Sequence, residues 1–213
     1  MKCDKKHMLL YAVTDRAWVG RQSLYEQVES ALKGGATCVQ LREKELNDAD
    51  FLAEAMELSA LCKRYGVPFF VNDNVDIAIQ CGADGIHVGQ EDMAAAQVRQ
   101  RVGEHMMIGV SVHSVKESLE AVKNGADCLG VGAMFSTSTK ADADVLPREV
   151  LREICDAVDI PVVAIGGISK SNLMQLSGTG VDGVALVSAI FGAEDIEGEC
   201  RQLRTLSKKM VQG

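Results

Sequence analysis

Gly82-Ala83-Asp84-Gly85-Ile86 returns as Gly125-Ala126-Asp127-Cys128-Leu129 and as Gly180-Val181-Asp182-Gly183-Val184, with Gly35-Ala36-Thr37-Cys38-Val39 a looser fourth copy. Each copy reads as a glycine that closes a helix, followed by a tight turn into a strand. One helix-to-strand joint used four times implies repeated units of strand and helix. Outward from these joints, short apolar runs at residues 9–14, 38–42, 68–72, 85–88, 107–112, 128–132, 161–165 and 183–187 have the length of strands covered on both faces, and several are rich in Val and Ile. Segments of helical length lie between them, at 23–33, 48–65, 75–81, 93–102, 115–124, 146–157, 171–176 and 193–210. Several starts carry caps: Asn47 before the second helix, Ser114 with Glu117 three residues on, and Ser169 or Ser171 before the seventh. Eight strands alternating with eight helices over 213 residues leave about 27 residues per unit. The pattern predicts an α/β fold: a single (β/α)8 TIM barrel, with residues 1–213 as one domain. An open doubly wound sheet is the runner-up, but no GxGxxG follows the first strand.

Composition narrows the function. Apolar residues make up 47% and charged residues 24%, a balance typical of soluble globular chains. The net charge of −8 argues against nucleic acid and against an anionic membrane surface as partners. Any anion site must therefore be local. The seven cysteines form no CxxC pair and sit on apolar runs or helical faces, which reads as small hydrophobes in a reducing cytosol rather than disulfides or a zinc site. The apolar run at 8–13 is too short for a signal peptide or a membrane span. The expected location is the cytoplasm, and a homo-oligomer is left open.

In a parallel barrel the chemistry gathers at the C-terminal ends of the strands. The residues that follow each run here are chemically loaded, whereas those before it are Gly, Pro, Ala and Asp. Asp73 and Asp92 follow consecutive strands, and two carboxylates at one mouth suit Mg²⁺, which keeps its other positions for water and substrate phosphates. Arg42 and Lys44 follow the second strand and Lys140 the sixth. They could grip a diphosphate, or, taken alone, be a solvated charge cluster. One metal-bound diphosphate accounts for all five residues together. Gly166-Gly167 after the seventh strand and Val187-Ser188 after the eighth occupy the usual phosphate position of such barrels; a plain tight turn is the bland alternative for the glycines. The loop Ser136-Thr137-Ser138-Thr139-Lys140 could bind phosphate or a ring substituent, or simply face solvent, and it lacks the P-loop glycines. His87 lies inside a strand, where a core role is the better reading. His113 could reach the mouth and serve as a general acid or base.

Gln40-Leu41-Arg42-Glu43-Lys44, Val71-Asn72-Asp73, the run from His87 to Asp92, Gly109-Val110-Ser111 and the loop from Thr137 to Ala143 together resemble the thiamine phosphate synthase family. The similarity runs in order from Tyr11 to about Phe191. It implies a transferase of thiamine biosynthesis that joins an aminopyrimidine methyl diphosphate to a thiazole phosphate, giving thiamine phosphate and pyrophosphate. By motif, Gln40, Leu41, Arg42, Glu43, Lys44, Asn72, Ser111 and Lys140 bind the pyrimidine diphosphate, with Arg42, Lys44, Ser111 and Lys140 as the catalytic set. Asp73 and Asp92 hold Mg²⁺, while Thr137, Ser138, Thr139, Gly167, Val187 and Ser188 bind the thiazole phosphate. The family usually reads Gly-Pro-x-Phe-x-Thr where this chain has Gly132-Ala133-Met134-Phe135-Ser136-Thr137, so a looser loop is expected there.

The expected mechanism is dissociative: cations neutralise the departing diphosphate, and the thiazole nitrogen captures the pyrimidine methylene cation. No strong base is needed, which agrees with the lack of one. Two other classes stay open at this stage. A thiazole tautomerase or sugar-phosphate isomerase would need His113 and no Mg²⁺, and a non-catalytic sensor would bind thiamine phosphate without turnover.

Overall fold

The computed structural model describes residues 3–20, 22–137 and 144–213. Among these, eight parallel strands pair in sequence order, and the first pairs with the last to close a barrel. The strands are β1 (Leu10–Val13), β2 (Cys38–Leu41), β3 (Phe69–Asn72), β4 (Gly85–Val88), β5 (Met107–Val112), β6 (Cys128–Val131), β7 (Val162–Ile165) and β8 (Gly183–Leu186). The helices are α1 (Leu24–Gly34), α2 (Asp48–Tyr65), α3 (Val75–Gln80), α4 (Ala95–Val102), α5 (Val115–Lys123), α6 (Arg148–Ala157), α7 (Ser188–Phe191) and α8 (Ile196–Gln212). No described helix is long and apolar enough to cross a membrane.

The recurring sequence joint turns out to be a clamp between strands. Asp84 accepts the Phe69 N–H at 2.9 Å, Asp127 the Ile108 N–H at 2.8 Å and Asp182 the Val162 N–H at 2.9 Å. Thr37 does the same for Leu10 at 2.8 Å. In return, the backbone N–H of each clamp residue donates to the carbonyl of the residue it holds, at 2.7–2.9 Å. The joint therefore ties β1 to β2, β3 to β4, β5 to β6 and β7 to β8 at the floor of the barrel, which explains its return at every second strand. An unpaired N–H at the start of a buried strand would cost about 1–3 kcal/mol.

The helices depart from the sequence pattern where the chemistry of single residues intervenes. Helix α6 starts at Arg148, two residues later than expected, because Pro147 supplies no N–H and disfavours helical backbone in the residue before it. The expected seventh helix is only a 3-10 turn, Leu173–Leu176, followed by Gly178 and Gly180 at positive φ. Helix α7, four residues long, is too short to register as periodicity.

Inside the cylinder, Tyr11, Cys38, Phe70, Met107, Cys128, Val163 and Ala185 form a packed apolar layer. Tyr11 and Phe70 pack in a tilted arrangement with ring centroids 5.7 Å apart. Gly85 makes room for Phe70, since a Cβ there would come within 2.3 Å of its ring. All seven cysteines are free, and burial pushes the Cys62, Cys155 and Cys200 thiols up to about 12, as expected of small hydrophobes. Tyr11, Val163 and Ala185 of this layer also line the cavity above, so the layer forms the floor of an open mouth.

Candidate active site

A cavity of about 520 Å³ opens at the C-terminal ends of the strands. On one side stand Arg42 and Lys44 after β2, Asn72 and Asp73 at the end of β3, and Asp92 after β4. Gln40, Ser111 and His87 line the interior, and Thr137, Gly167, Val187 and Ser188 stand across the opening. Ser138, Thr139 and Lys140 lie outside the described residues.

The carboxylate pair is drawn together by two tight turns. Asp73 follows β3 with φ at 62°, a left-handed conformation rare outside glycine. Its N–H donates to the His87 carbonyl at 2.8 Å, which fixes the turn to the neighbouring strand. Asp92 accepts the Gly89 N–H at 2.7 Å, folding its loop back over β4. Burial holds the Asp73 carboxyl above its ordinary value; the ion pair with Lys44 opposes this, and the adjacent Asp92 carboxylate adds to it. A half-buried carboxylate beside an exposed one repels it unless a cation or a shared proton lies between them. Among the described residues no group of three or more His, Cys, Asp or Glu is arranged for a metal, so any ion here would draw its other ligands from water or substrate oxygens.

The motif from Gln40 to Lys44 splits by strand parity. Gln40 points inward and donates to the Tyr11 hydroxyl at 2.9 Å, and Arg42 reaches the mouth, paired with Asp15 at 3.0 Å. Leu41 is fully buried in the layer between strands and helices, and Glu43 does not line the cavity either. Leu41 and Glu43 were both expected among the diphosphate-binding residues, and the side chains of these two face away from the cavity. Alternation along β2 sends Leu41 outward. Glu43 instead turns under its own loop, accepting N–H groups from Lys44 and Glu45 at 2.7 Å and from Leu46 at 3.2 Å, with Arg16 at 2.6 Å. Glu43 is thus a pin that leaves Arg42 and Lys44 on the open side. Burial tends to raise its carboxyl, but Arg16 and the loop N–H groups outweigh this and hold it below the ordinary 4.5. A group lowered on folding stabilises above its unfolded value and loses that contribution as pH falls through the folded one. We expect Glu43→Gln to lose about 2 kcal/mol at pH 7, the scale of hydrogen bonds to a charged group. Thermal melts at a series of pH values should show the gap to wild type closing below pH 4.5.

Across the mouth, the paired glycines have a firm local reason. Gly166 and Gly167 have φ of 94° and 65°, and a Cβ on Gly167 would lie 2.4 Å from the Ser136 carbonyl oxygen. They seat the loop after β6, whose Met134 and Phe135 N–H groups donate to the carbonyls of Ile165 at 2.9 Å and Gly166 at 3.0 Å. The Ala133 carbonyl in turn accepts from the Leu146 N–H at 2.8 Å. Residues 133–135 are therefore held by backbone hydrogen bonds where the family has its proline, while residues 138–143 of the loop expected to be looser lie outside the described residues. Helix α7 begins at Ser188, so its N-terminal turn faces the same space as Gly167 and Thr137.

Two histidines reach the cavity. His113 is half-exposed, with Nδ1 3.2 Å from a Glu117 carboxylate oxygen and its backbone N–H donating to the same carboxylate at 2.7 Å. His87 is buried, and its Nε2 lies 3.0 Å from the Ser111 hydroxyl oxygen. Burial lowers its imidazole to about 4, so it is uncharged near neutral pH. His87 is buried inside the barrel, as the sequence reading had it; that its ring also lines the site was missed. The available signal was parity, since His87 shares the inward face of β4 with Gly85. The apolar wall formed by Tyr11, Val13, Ile165 and Ile168 was also missed, because apolar side chains in strands carry no mark of function.

The geometry has counterparts among known proteins. A family model described as thiamine monophosphate synthase matches residues 10–190. A thiamine-phosphate synthase of Clostridium acetobutylicum is 46% identical over 200 residues, covering 94% of this chain and 95% of that one. One from Ruminiclostridium cellulolyticum is 48% identical over 194 residues, covering 91% and 92%. The solved structure of a thiamine phosphate pyrophosphorylase from Pyrococcus furiosus superposes with a TM-score of 0.90 at 40% identity, covering 97% of this chain and 98% of its own. With matches of this identity and reach, on a barrel whose mouth gathers those charges, the chain belongs to the thiamine monophosphate synthase family and is a transferase of thiamine biosynthesis.

Proposed function

We propose that the chain condenses 4-amino-2-methyl-5-pyrimidinylmethyl diphosphate with a thiazole phosphate, releasing pyrophosphate, in a dissociative displacement assisted by Mg²⁺. The observation that carries this reading is the convergence of Arg42, Lys44, Asp73 and Asp92 on one rim of a single cavity. A cation-lined rim beside a carboxylate pair suits a diphosphate that carries a divalent ion. Asp73 and Asp92 fit that ion, since their mutual repulsion and burial leave negative charge to be balanced. When bound, Mg²⁺ would act as a Lewis acid on the leaving diphosphate.

The chain's own residues supply the rest. Arg42 and Lys44 neutralise charge that grows on the diphosphate as its C–O bond breaks, and preorganised charge of this kind is a large catalytic term. Lys140, by its place in the motif, joins them. Gln40, Asn72 and Ser111 line the deeper cavity, where the pyrimidine ring would sit and its 4-amino group would release electron density toward the methylene cation. Gly167, Val187 and Ser188, with Thr137 and the motif residues Ser138 and Thr139, would hold the thiazole phosphate at the opposite side. The thiazole nitrogen is then delivered to the cation by position alone. No general base is required, because that nitrogen carries no proton. Leu41 and Glu43 act through the fold and the loop rather than by touching substrate.

The reading is tested by incubating the purified chain with both substrates together and with each alone. Coupled product and pyrophosphate should appear in equal amounts, and only when both substrates are present. Conversion of the thiazole compound alone would support a tautomerase and overturn the reading. Binding of thiamine phosphate without turnover would support a sensor.

A further inference from the structure

We propose that His87 is a positioning residue that turns the Ser111 hydroxyl proton toward the bound pyrimidine, doing so as the neutral imidazole tautomer protonated on Nε2. The inference rests on the reading of Ser111 as a contact to the pyrimidine ring, but its first step does not.

That first step is geometric. His87 projects from β4 into the barrel between two glycines on the next strands. A Cβ on Gly109 would lie 2.4 Å from His87 Nδ1, and a Cβ on Gly130 would lie 3.3 Å from Cε1. The ring needs the bare Gly109 position, and Gly130 leaves it further room. Nδ1 therefore faces a Gly109 Cα–H. It is also a buried nitrogen with no hydrogen-bond partner. A neutral imidazole carries one N–H and one lone pair. A proton on Nδ1 would be a stranded donor pressed against an aliphatic hydrogen of like partial charge, whereas a lone pair there faces a weak C–H donor. The proton accordingly belongs on Nε2, which lies 3.0 Å from Ser111 Oγ and donates to it.

The second step follows from the inventory of a hydroxyl, which has one proton and two acceptor sites. With an acceptor site engaged by His87, the Ser111 proton points away from the imidazole and into the cavity that both residues line. The main chain of Ser111 is fixed as well, since its carbonyl accepts from the Gln90 side chain at 2.7 Å. Ser111 is thus presented as a donor. Its match is an unprotonated ring nitrogen of a heteroaromatic substrate. In the opposite tautomer, Nε2 would accept a hydrogen bond from the Ser111 O–H and leave the hydroxyl only an acceptor toward the cavity.

Two measurements test this. In the protein with ¹⁵N-labelled histidine, long-range ¹H–¹⁵N correlation spectra should show His87 protonated at Nε2, the signal being assigned by its loss in His87→Gln. Protonation at Nδ1 would overturn the proposal whatever the protein's substrates are. In steady-state kinetics, His87→Leu should lower kcat/KM for the pyrimidine substrate about tenfold, the scale of one hydrogen bond. It should lower kcat/KM little further in a Ser111→Ala background. His87→Gln, whose amide N–H reaches the Nε2 position, should restore most of the loss. Equal losses in both backgrounds, with no rescue by Gln, would make His87 mere packing. Lack of any turnover in the wild type would instead count against the proposed function and leave the spectroscopic result standing.

Discussion

Asp92→Ala lowers turnover at least about a hundredfold with both substrates saturating, the scale of losing one key electrostatic contact in an active site. Asp92 and Asp73 stand together at the rim, with Asp73 already strained toward protonation by burial and by its neighbour. Removal of one carboxylate would leave half of the proposed divalent-cation site. It also frees the Gly89 N–H, which Asp92 holds at 2.7 Å, so alanine changes both the charge and the loop. Asp92→Asn separates the two, because an amide oxygen can still accept from Gly89 while the charge is gone. If charge is what matters, pyrophosphate release falls nearly as far in Asp92→Asn as in Asp92→Ala. If the loop is what matters, Asp92→Asn remains close to wild type. Near-normal turnover in both purified variants would contradict the proposed role.

The second large effect is on the scaffold. Gly183→Ala destabilises the fold by about 3 kcal/mol or more, at or beyond the upper end of overpacking effects, because the obstacle is backbone. Gly183 opens β8 beside β1, and a Cβ there would lie 2.0 Å from the Met8 carbonyl oxygen and 2.5 Å from the Leu9 Cα. A flexible side chain could swing aside, but a strand pairing across the closure of the barrel cannot. Chemical denaturation should show the loss with an unchanged denaturant slope. The surviving folded fraction should bind substrate weakly, since the β1–β8 seam carries Tyr11 and Ser188 into the same cavity. A melting temperature within a degree or two of wild type would show that the seam can open without penalty.

How far the sequence could be read depended on the physics behind each feature. The strands were legible to within a residue at each end, because burial on both faces demands apolar runs and the joint repeats at every second strand. What the joint does was not legible. Nothing in a Gly-Ala-Asp string says that Asp84 clamps Phe69, as that is a contact between strands. Asp73 and Asp92 could be singled out because they follow consecutive strands, whose ends barrel geometry aims at one mouth. Where the Glu43 side chain faces was not legible, for the opposite reason. It sits among true cavity residues in the chain, and only the turn after β2 reveals that it faces its own backbone. His87 was legible as a buried strand residue, but its setting was not, because it depends on two glycines remote in sequence, Gly109 and Gly130, that lie against the ring. The split of the 171–176 segment into a 3-10 turn, and the short helix α7 after β8, fall below the length at which helical periodicity can be recognised.

The central claim is that Asp73 and Asp92 act as one cation site that receives a diphosphate beside Arg42 and Lys44. Calorimetric titration of inorganic pyrophosphate into the intact protein, with and without Mg²⁺, addresses it without reliance on turnover. Affinity should rise at least about tenfold when Mg²⁺ is present, and that gain should vanish in Asp92→Asn. Equal affinity with and without the ion in the wild-type protein would contradict it.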